Sequence, residues 1–381
     1  MNGYLSIAVL QKSKNRRRRV KLRTMSDLST SSSARFPDVY YLDPGNLPML
    51  TDYLMAGRRL AAGETLLGAQ KAGEGNMNCA VRVRTSAGSF ILKQSRPWLE
   101  KYPQIVAPFD RALVEGRFYR LVASSPTVAG RMPRLLWMDD DTRILALEDL
   151  GSASDFFPLY AREITLSEQT LTDLVAYLSA LHRLAPVSEA EREKLANLEM
   201  RALNHEHIFA LPLRAKNGLD LDTYTGTPGL AAAARSLKED AAYVQTVSAL
   251  GERYRQDPGN SLLHGDFFPG SFLRTSVGVR VIDPEFCFCG DAEYDLGIFA
   301  AHLLLASEPA ERAEKVLRLY QPPTGMMISP ELARQYAGVE IMRRLIGVAQ
   351  IPTLHADLAQ KSAWLELSRR LVLEPERGFS A

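Results

Sequence analysis

The residues best equipped for chemistry lie in one short stretch: His264-Gly265-Asp266, then Ser271, then Asp283-Pro284-Glu285. Phosphoryl transfer needs one carboxylate to orient or deprotonate an attacking hydroxyl, and further oxygen ligands to hold magnesium against the transferred phosphate. Asp266 suits the first task. Asp283 and Glu285, one residue apart at the end of a strand-like run, are expected on one side of it, both within reach of a metal, with Ser271 as a third oxygen donor. Taken singly these acids also suit turns and helix caps. Their order and separation favour the chemical reading, since an isolated H-G-D is a weak signal.

A second set lies upstream. Gly73-Glu74-Gly75-Asn76-Met77-Asn78 falls between two strand-like runs, so its backbone amides can face a polyphosphate without side chains in the way. A glycine-rich turn alone has the same letters. The loop gains meaning from Lys93 on the following strand and Glu115 on the next helix, an order that suits a phosphate-binding lysine and its orienting carboxylate. Glu148-Asp149-Leu150 then closes a strand-like run, where main-chain groups are expected to hydrogen-bond adenine. These readings make ATP and magnesium the expected cofactors.

Such residues need two kinds of support. Val81 and Val83 alternate with Arg82 and Arg84, Ser86-Ala87-Gly88 turns the chain, and Phe90 to Lys93 returns, which predicts a β-hairpin. Leu50, Tyr53 and Leu54 predict a short leading helix, positions 113, 114, 118 and 121 a second, and 143–147 another strand. Beyond Gly151 the pattern becomes helical, clearest in Leu171, Leu174, Val175, Leu178 and Leu181. A strand pair is expected around Leu262-Leu263 and Val279 to Ile282. The expected fold is α+β and protein-kinase-like: a leader at 1–35, a β-rich N-terminal lobe at 36–150 with its hinge at 148–150, and a helical C-terminal lobe at 151–381.

Composition excludes other classes. With 46% hydrophobic and 24% charged residues among 381, the chain reads as globular, and no apolar run approaches the ~20 residues of a membrane span. Three cysteines, Cys79, Cys287 and Cys289, fit buried thiols in a reducing cytoplasm better than a disulfide framework. The formal charge of +2 is unevenly spread. Residues 1–24 hold eight Lys or Arg and no acid, leaving 38 basic against 44 acidic residues beyond them. That basic run suits a nucleic-acid arm or a transit peptide. Met25 and the Ser-rich stretch after it make a later start the expectation, with no nucleic-acid or membrane partner.

The chain resembles the methylthioribose kinase family, within the aminoglycoside phosphotransferase and choline kinase superfamily, from about Asp43 to Leu371. The resemblance rests on 73–78, Lys93-Gln94, Asp110-Arg111-Ala112 before Glu115, Glu148-Asp149-Leu150, Asn197-Leu198-Glu199-Met200 and His207-Ile208-Phe209. It continues through His264-Gly265-Asp266, Gly270-Ser271, Asp283-Pro284-Glu285-Phe286 and Asp295-Leu296-Gly297. It implies ATP-dependent phosphorylation of the 1-hydroxyl of 5-methylthioribose in methionine salvage, and a cytoplasmic homodimer. Gly73, Gly75, Asn76, Lys93, Glu115, residues 148–150 and Asp283-Pro284-Glu285 would hold nucleotide and metal. A late arginine pair at the substrate site is matched by Arg343-Arg344, which with Asp266 would contact the acceptor. Neighbouring helical residues diverge by ~100°, so one arginine is expected to face the transferred phosphate or a sugar hydroxyl and the other to brace a carboxylate.

One departure bears on substrate. A leucine-histidine-threonine triplet follows the catalytic aspartate in that family, and here Phe267-Phe268-Pro269 stands in its place, two aromatics expected to reshape the acceptor pocket. The alternatives kept open are another small alcohol (an aminoglycoside, choline or an amino alcohol) and a nucleotide-binding pseudokinase. His182, His302 and His355 are expected to pack or hydrogen-bond between helices.

Overall fold

The computed structural model describes residues 39–380 apart from 74, 76, 104, 185–187, 257 and 258. The expectations for the basic leader and for Asn76 lie outside these residues. Contacts divide the described chain into two units. The first runs to Gly116 and adds Pro133–Leu150; the second comprises Arg117–Met132 and everything from Gly151 on.

The first unit is an antiparallel five-stranded sheet in the order β1-β2-β3-β5-β4, with β1 Leu66–Lys71, β2 Cys79–Thr85, β3 Gly88–Gln94, β4 Leu135–Asp139 and β5 Ile144–Glu148. The alternation seen in β2 is obeyed: Val81 and Val83 are buried beneath the helix Leu47–Ala56, packed with Leu50, Leu54, Leu92, Ile144 and Ala146. Asn46 caps that helix, its side chain accepting from Met49 N. Thr85 pairs with Gly88 across the two-residue turn Ser86-Ala87, which sets the β2–β3 register and opposes Lys93 to Ala80 on one side and Leu145 on the other. Lys93 is thus held on a central strand.

The second unit is mostly helical. The helix Ala292–Leu305 is buried at 13 of its 14 positions, as expected of a helix apolar on all sides, and forms the unit's centre. Pro330–Ile346 crosses it closely because position 297 is glycine: a Cβ there would lie 2.5 Å from the Ala333 carbonyl oxygen. The segment 117–132 is tied to this unit by Arg131, whose Nη2 lies 2.7 Å from Asp173 Oδ1 on the helix Glu168–Leu181.

The expected strand pair is corrected. Ser261–Leu263 (β7) pairs with Phe288–Gly290 (β10), while Gly278–Val281 (β9) pairs with Phe272–Thr275 (β8), which also meets Ser154–Asp155 (β6). The cause is local: Thr275 and Gly278 close a two-residue hairpin that takes β9 as the partner of β8. All three cysteines are free and buried, and among the described residues no helix is long and apolar enough to cross a membrane.

Because a backbone oxygen cannot yield as a flexible side chain would, Gly297→Val is expected to destabilise the protein by about 2 kcal/mol. A urea midpoint equal to that of the native sequence would contradict this packing account.

Candidate active site

In the first unit, burial demands that Lys93 be paired, and Glu115 pairs it: Nζ lies 2.7 Å from both carboxylate oxygens, with Glu115 only 1% exposed. Glu115 is brought there by the helix Arg111–Val122, which approaches β4 and β5 closely over Gly116, where a Cβ would overlap Met138 Sδ. One turn earlier Arg111, 1% exposed, donates to Asn78 Oδ1 at 3.0 Å and to the carbonyls of Met77, Arg96 and Pro108 at 2.7, 2.8 and 2.6 Å. It therefore fastens the end of the glycine-rich loop to the helix that carries Glu115. Within the loop Gly73 has φ +95°, and neither Gly73 nor Gly75 would put a Cβ nearer than 3.7 Å to another atom. Its backbone has open space beside it, as close approach by a ligand requires.

Glu148 and Asp149 serve this unit's own surface. Glu148 accepts from the Arg134 amide and side chain at 3.2 Å, and Asp149 from Arg82 and Ser89 at 3.0 and 2.7 Å. Adenine recognition by 148–150, with Leu150 last, would thus fall to the main chain.

In the second unit the loop after β7 is built around Asp295, which is wholly buried. Its carboxylate accepts from the amides of His264 and Gly265 at 2.7 and 3.0 Å and lies 3.2 Å from His182 Nε2. Gly265 has φ +83°, and a Cβ there would overlap the Phe286 carbonyl, so both conformation and space require glycine. Ser271 closes the loop, its hydroxyl donating to the Asp266 carbonyl at 2.9 Å. The Asp283-Pro284-Glu285 turn is pinned by Asn197, whose Nδ2 donates to the carbonyls of Glu285 and Cys287, both at 2.9 Å.

The strand-face argument for Asp283 and Glu285 is corrected. β9 ends at Val281, and Asp283 has φ +68°, a left-handed conformation that breaks the two-residue alternation. Glu285 is 1% exposed on the turn itself. Among the described residues no group of three His, Cys, Asp or Glu side chains is arranged to hold a metal. The set Asp283, Glu285 and Ser271 is two carboxylates and a hydroxyl, all hard oxygen donors of the kind magnesium takes.

Asp266 and the arginine pair do meet. Asp266 Oδ1 lies 3.3 Å from Arg343 Nη2 and 3.5 Å from Arg344 Nη2, ion-pair distances that leave its other oxygen without a partner among the described residues. Burial raises the Asp266 pKa, with Arg344 and Arg343 opposing. The expected division of labour between the arginines is corrected: both reach Asp266, and both are braced by Glu340. Its Oε2 lies 2.6 Å from Arg343 Nε and its Oε1 2.7 Å from Arg344 Nε. Glu340 sits three and four residues before them on the same helix, where long side chains converge despite diverging Cβ directions. Burial would raise the pKa of Glu340, but the two guanidiniums and a hydrogen bond from His302 hold it well below the carboxylate range.

The two aromatics after Asp266 separate. Phe267 is fully buried among Tyr177, Phe272 and Phe299, so it belongs to the core and not to a pocket beside the base. Only Phe268 stays at the site, its ring 4.6 Å from the Arg344 guanidinium. Sequence reasoning gave no role to Arg111, Asn197 or Asp295, and did not single out Glu340; the i, i+3 and i+4 spacing to Arg343 and Arg344 was the signal for the last.

A β-rich unit with a buried Lys–Glu pair, and a helical unit with an Asp–Arg–Arg cluster beside a D-P-E turn, define a protein-kinase-like phosphotransferase. The profile of the phosphotransferase enzyme family matches residues 68–330, and the chain belongs to that family: it is an enzyme that passes a phosphoryl group to an alcohol. The methylthioribose kinase of Geobacillus kaustophilus (strain HTA426) is 25% identical over 360 residues, 81% of this chain and 88% of that protein. That of Yersinia pestis (strain Pestoides F) is 24% identical over 383 residues, 84% and 90% of the two chains. A spectinomycin phosphotransferase solved with ADP and spectinomycin shares the fold, at TM-score 0.51 and 13% identity over 88% of this chain and 100% of that one.

Two outcomes are expected. Arg111→Lys replaces a fork that spans four acceptors by a point charge, so nucleotide affinity should fall roughly ten-fold with acceptor KM unmoved, as titration with a non-hydrolysable ATP analogue and acceptor kinetics would show. Burial lowers the His302 pKa to about 4, against the hydrogen bond to Glu340. The unfolded chain therefore binds the extra proton first, and stability is lost as pH falls from the ordinary histidine range toward 4. Between pH 7 and 5 this group should remove about 2 kcal/mol, a loss that thermal unfolding of His302→Gln should lack.

Proposed function

We propose that the chain is an ATP-dependent kinase of a small neutral sugar, phosphorylating the 1-hydroxyl of 5-methylthioribose, the activity named for its curated relatives. The observation that carries the acceptor's class is the charge around Asp266. Two carboxylates, Asp266 and Glu340, face two guanidiniums, Arg343 and Arg344, so the cluster is neutral before any acceptor arrives. A lone carboxylate would attract a cationic acceptor at 4 Å by about 4 kcal/mol at an effective dielectric constant near 20. Here the arginines cancel that attraction, and an ammonium would still have to shed its water. The Phe268 face, the surface that would cage a quaternary ammonium, already holds Arg344. Both points disfavour choline and polycationic aminoglycosides, and a neutral polyol escapes both penalties.

The residues then divide the work. The free oxygen of Asp266 accepts the proton of the attacking hydroxyl, and burial raises its basicity toward that task. Arg343 and Arg344 hold the other oxygen, so the carboxylate cannot rotate away. Lys93, oriented by Glu115, and the backbone of Gly73 and Gly75, with Asn76, bind the ATP phosphates. Asp283, Glu285 and Ser271 would hold magnesium, which when bound offsets phosphate charge. The intact Lys93–Glu115 pair and the retained acids weigh against a pseudokinase.

ADP release with ATP, magnesium and 5-methylthioribose, with the product's phosphate placed on the 1-oxygen by 31P NMR, tests this reading. Turnover that falls at least about a thousand-fold in Asp266→Asn is expected. Turnover with choline or an aminoglycoside and none with the sugar would overturn the acceptor while leaving the transfer chemistry in place.

A further inference from the structure

His302 lies on the helix Ala292–Leu305, wholly buried, and belongs to no motif that bears chemistry by its letters. Its Nε2 is 2.9 Å from Glu340 Oε1, and its Nδ1 is 2.6 Å from the hydroxyl of Tyr160. An ionised carboxylate can only accept, so Nε2 carries the ring proton and donates it to Glu340. Nδ1 is then the acceptor, and Tyr160, whose hydroxyl is kept protonated by burial, is its donor. The hydrogen bonds run in one direction: Tyr160 to His302, His302 to Glu340. From Glu340 the two guanidiniums lead on to Asp266. Oε1 is shared by His302 and Arg344, so His302 fixes the rotation of the carboxylate that both arginines grip. The ring also packs 5.2 Å from Phe268, the aromatic beneath Arg344.

We propose that Tyr160 and His302 are positioning residues for acceptor binding: Tyr160 caps Nδ1 and so places the ring proton on Nε2, and His302, acting through Glu340, sets the two guanidiniums on Asp266. The charged groups facing His302 are Glu340 on one side and Arg343 and Arg344 beyond it, with Tyr160 opposite. Neither Tyr160 nor His302 touches the acceptor. Their effect is on the geometry of the groups that do, so it is expected in acceptor KM and not in nucleotide KM. The inference rests on the reading of Asp266 as the acceptor's base.

The test uses the full chain with Tyr160→Phe, His302→Leu and His302→Gln, alongside 15N NMR of histidine-labelled native protein. His302→Leu leaves Glu340 one donor short and should raise acceptor KM roughly ten-fold or more, with ATP KM changed by less than about two-fold. The amide of His302→Gln can still donate to Glu340 and should recover most of the loss, and Tyr160→Phe should fall between. The native His302 ring should be neutral and protonated at Nε2 at pH 7. Equal rises in both KM values, a folded His302→Leu or Tyr160→Phe protein with native acceptor KM, or a ring protonated at Nδ1 would each overturn the proposal. The NMR result stands without any acceptor: turnover of no sugar would remove the reading of the acceptor, while the position of the ring proton would still decide the relay.

Discussion

Glu340 is an anion with almost no water around it, and most of the cluster that includes Asp266 and the arginine pair follows from what that requires. A buried carboxylate missing a partner costs about 3–5 kcal/mol, so the helix that carries Glu340 places Arg343 and Arg344 one turn later to meet it. Two guanidiniums are one positive charge more than Glu340 needs. The excess is settled on Asp266, and the aspartate that would deprotonate the acceptor is thereby held in place. Gly297 sets how close this helix comes to Ala292–Leu305, and Asp295 on that neighbour holds the main chain of the loop bearing Asp266. The arginines and the aspartate are thus located by two packed helices, which position side chains more rigidly than a loop does.

The first unit solves the same problem with a different charge. Lys93 is buried on the central strand of its sheet, and Glu115 must approach to neutralise it; Gly116 gives the helix the room to do so. Arg111 then uses the first turn of that helix to tie down the loop that precedes β2. The backbone stays open at Gly73 and Gly75, and the end of the loop is fixed by the Arg111 bonds to Asn78 and the Met77 carbonyl.

What could be read from the sequence had a local cause. The β2–β3 hairpin is written in the alternation of Val81 to Arg84 and the turn after it, and the stripe from Leu171 to Leu181 predicts its helix by spacing alone. That Lys93 meets Glu115 was expected from their order on a strand and the next helix, whereas the arginine pair beside Asp266 was expected only from the family resemblance. The failures lie in single-residue backbone detail and in contacts distant along the chain, neither of which periodicity records. Asp283 leaves the strand with a positive φ that no periodicity announces, and the pairing of β7 with β10 spans a hairpin the apolar pattern does not mark. Phe267 and Phe268 are identical letters, yet one fills the core and the other lies against Arg344. Asn197 reaches across 88 residues of chain to hold the Glu285 carbonyl, a contact with no trace in local spacing.

Charge compensation at Asp266 is the central claim, and it is tested most directly by comparing kcat/KM for two acceptors of one shape and different charge. 5-Methylthioribose and its 5-methylamino-5-deoxy counterpart, in which a protonated nitrogen replaces the sulfur at neutral pH, form such a pair. The account predicts that the neutral sugar is favoured by about a hundred-fold or more, since the cation loses hydration and gains no net attraction. Preference for the ammonium compound, strengthening as salt is lowered, would mean that Asp266 presents an uncompensated negative charge, and would contradict it.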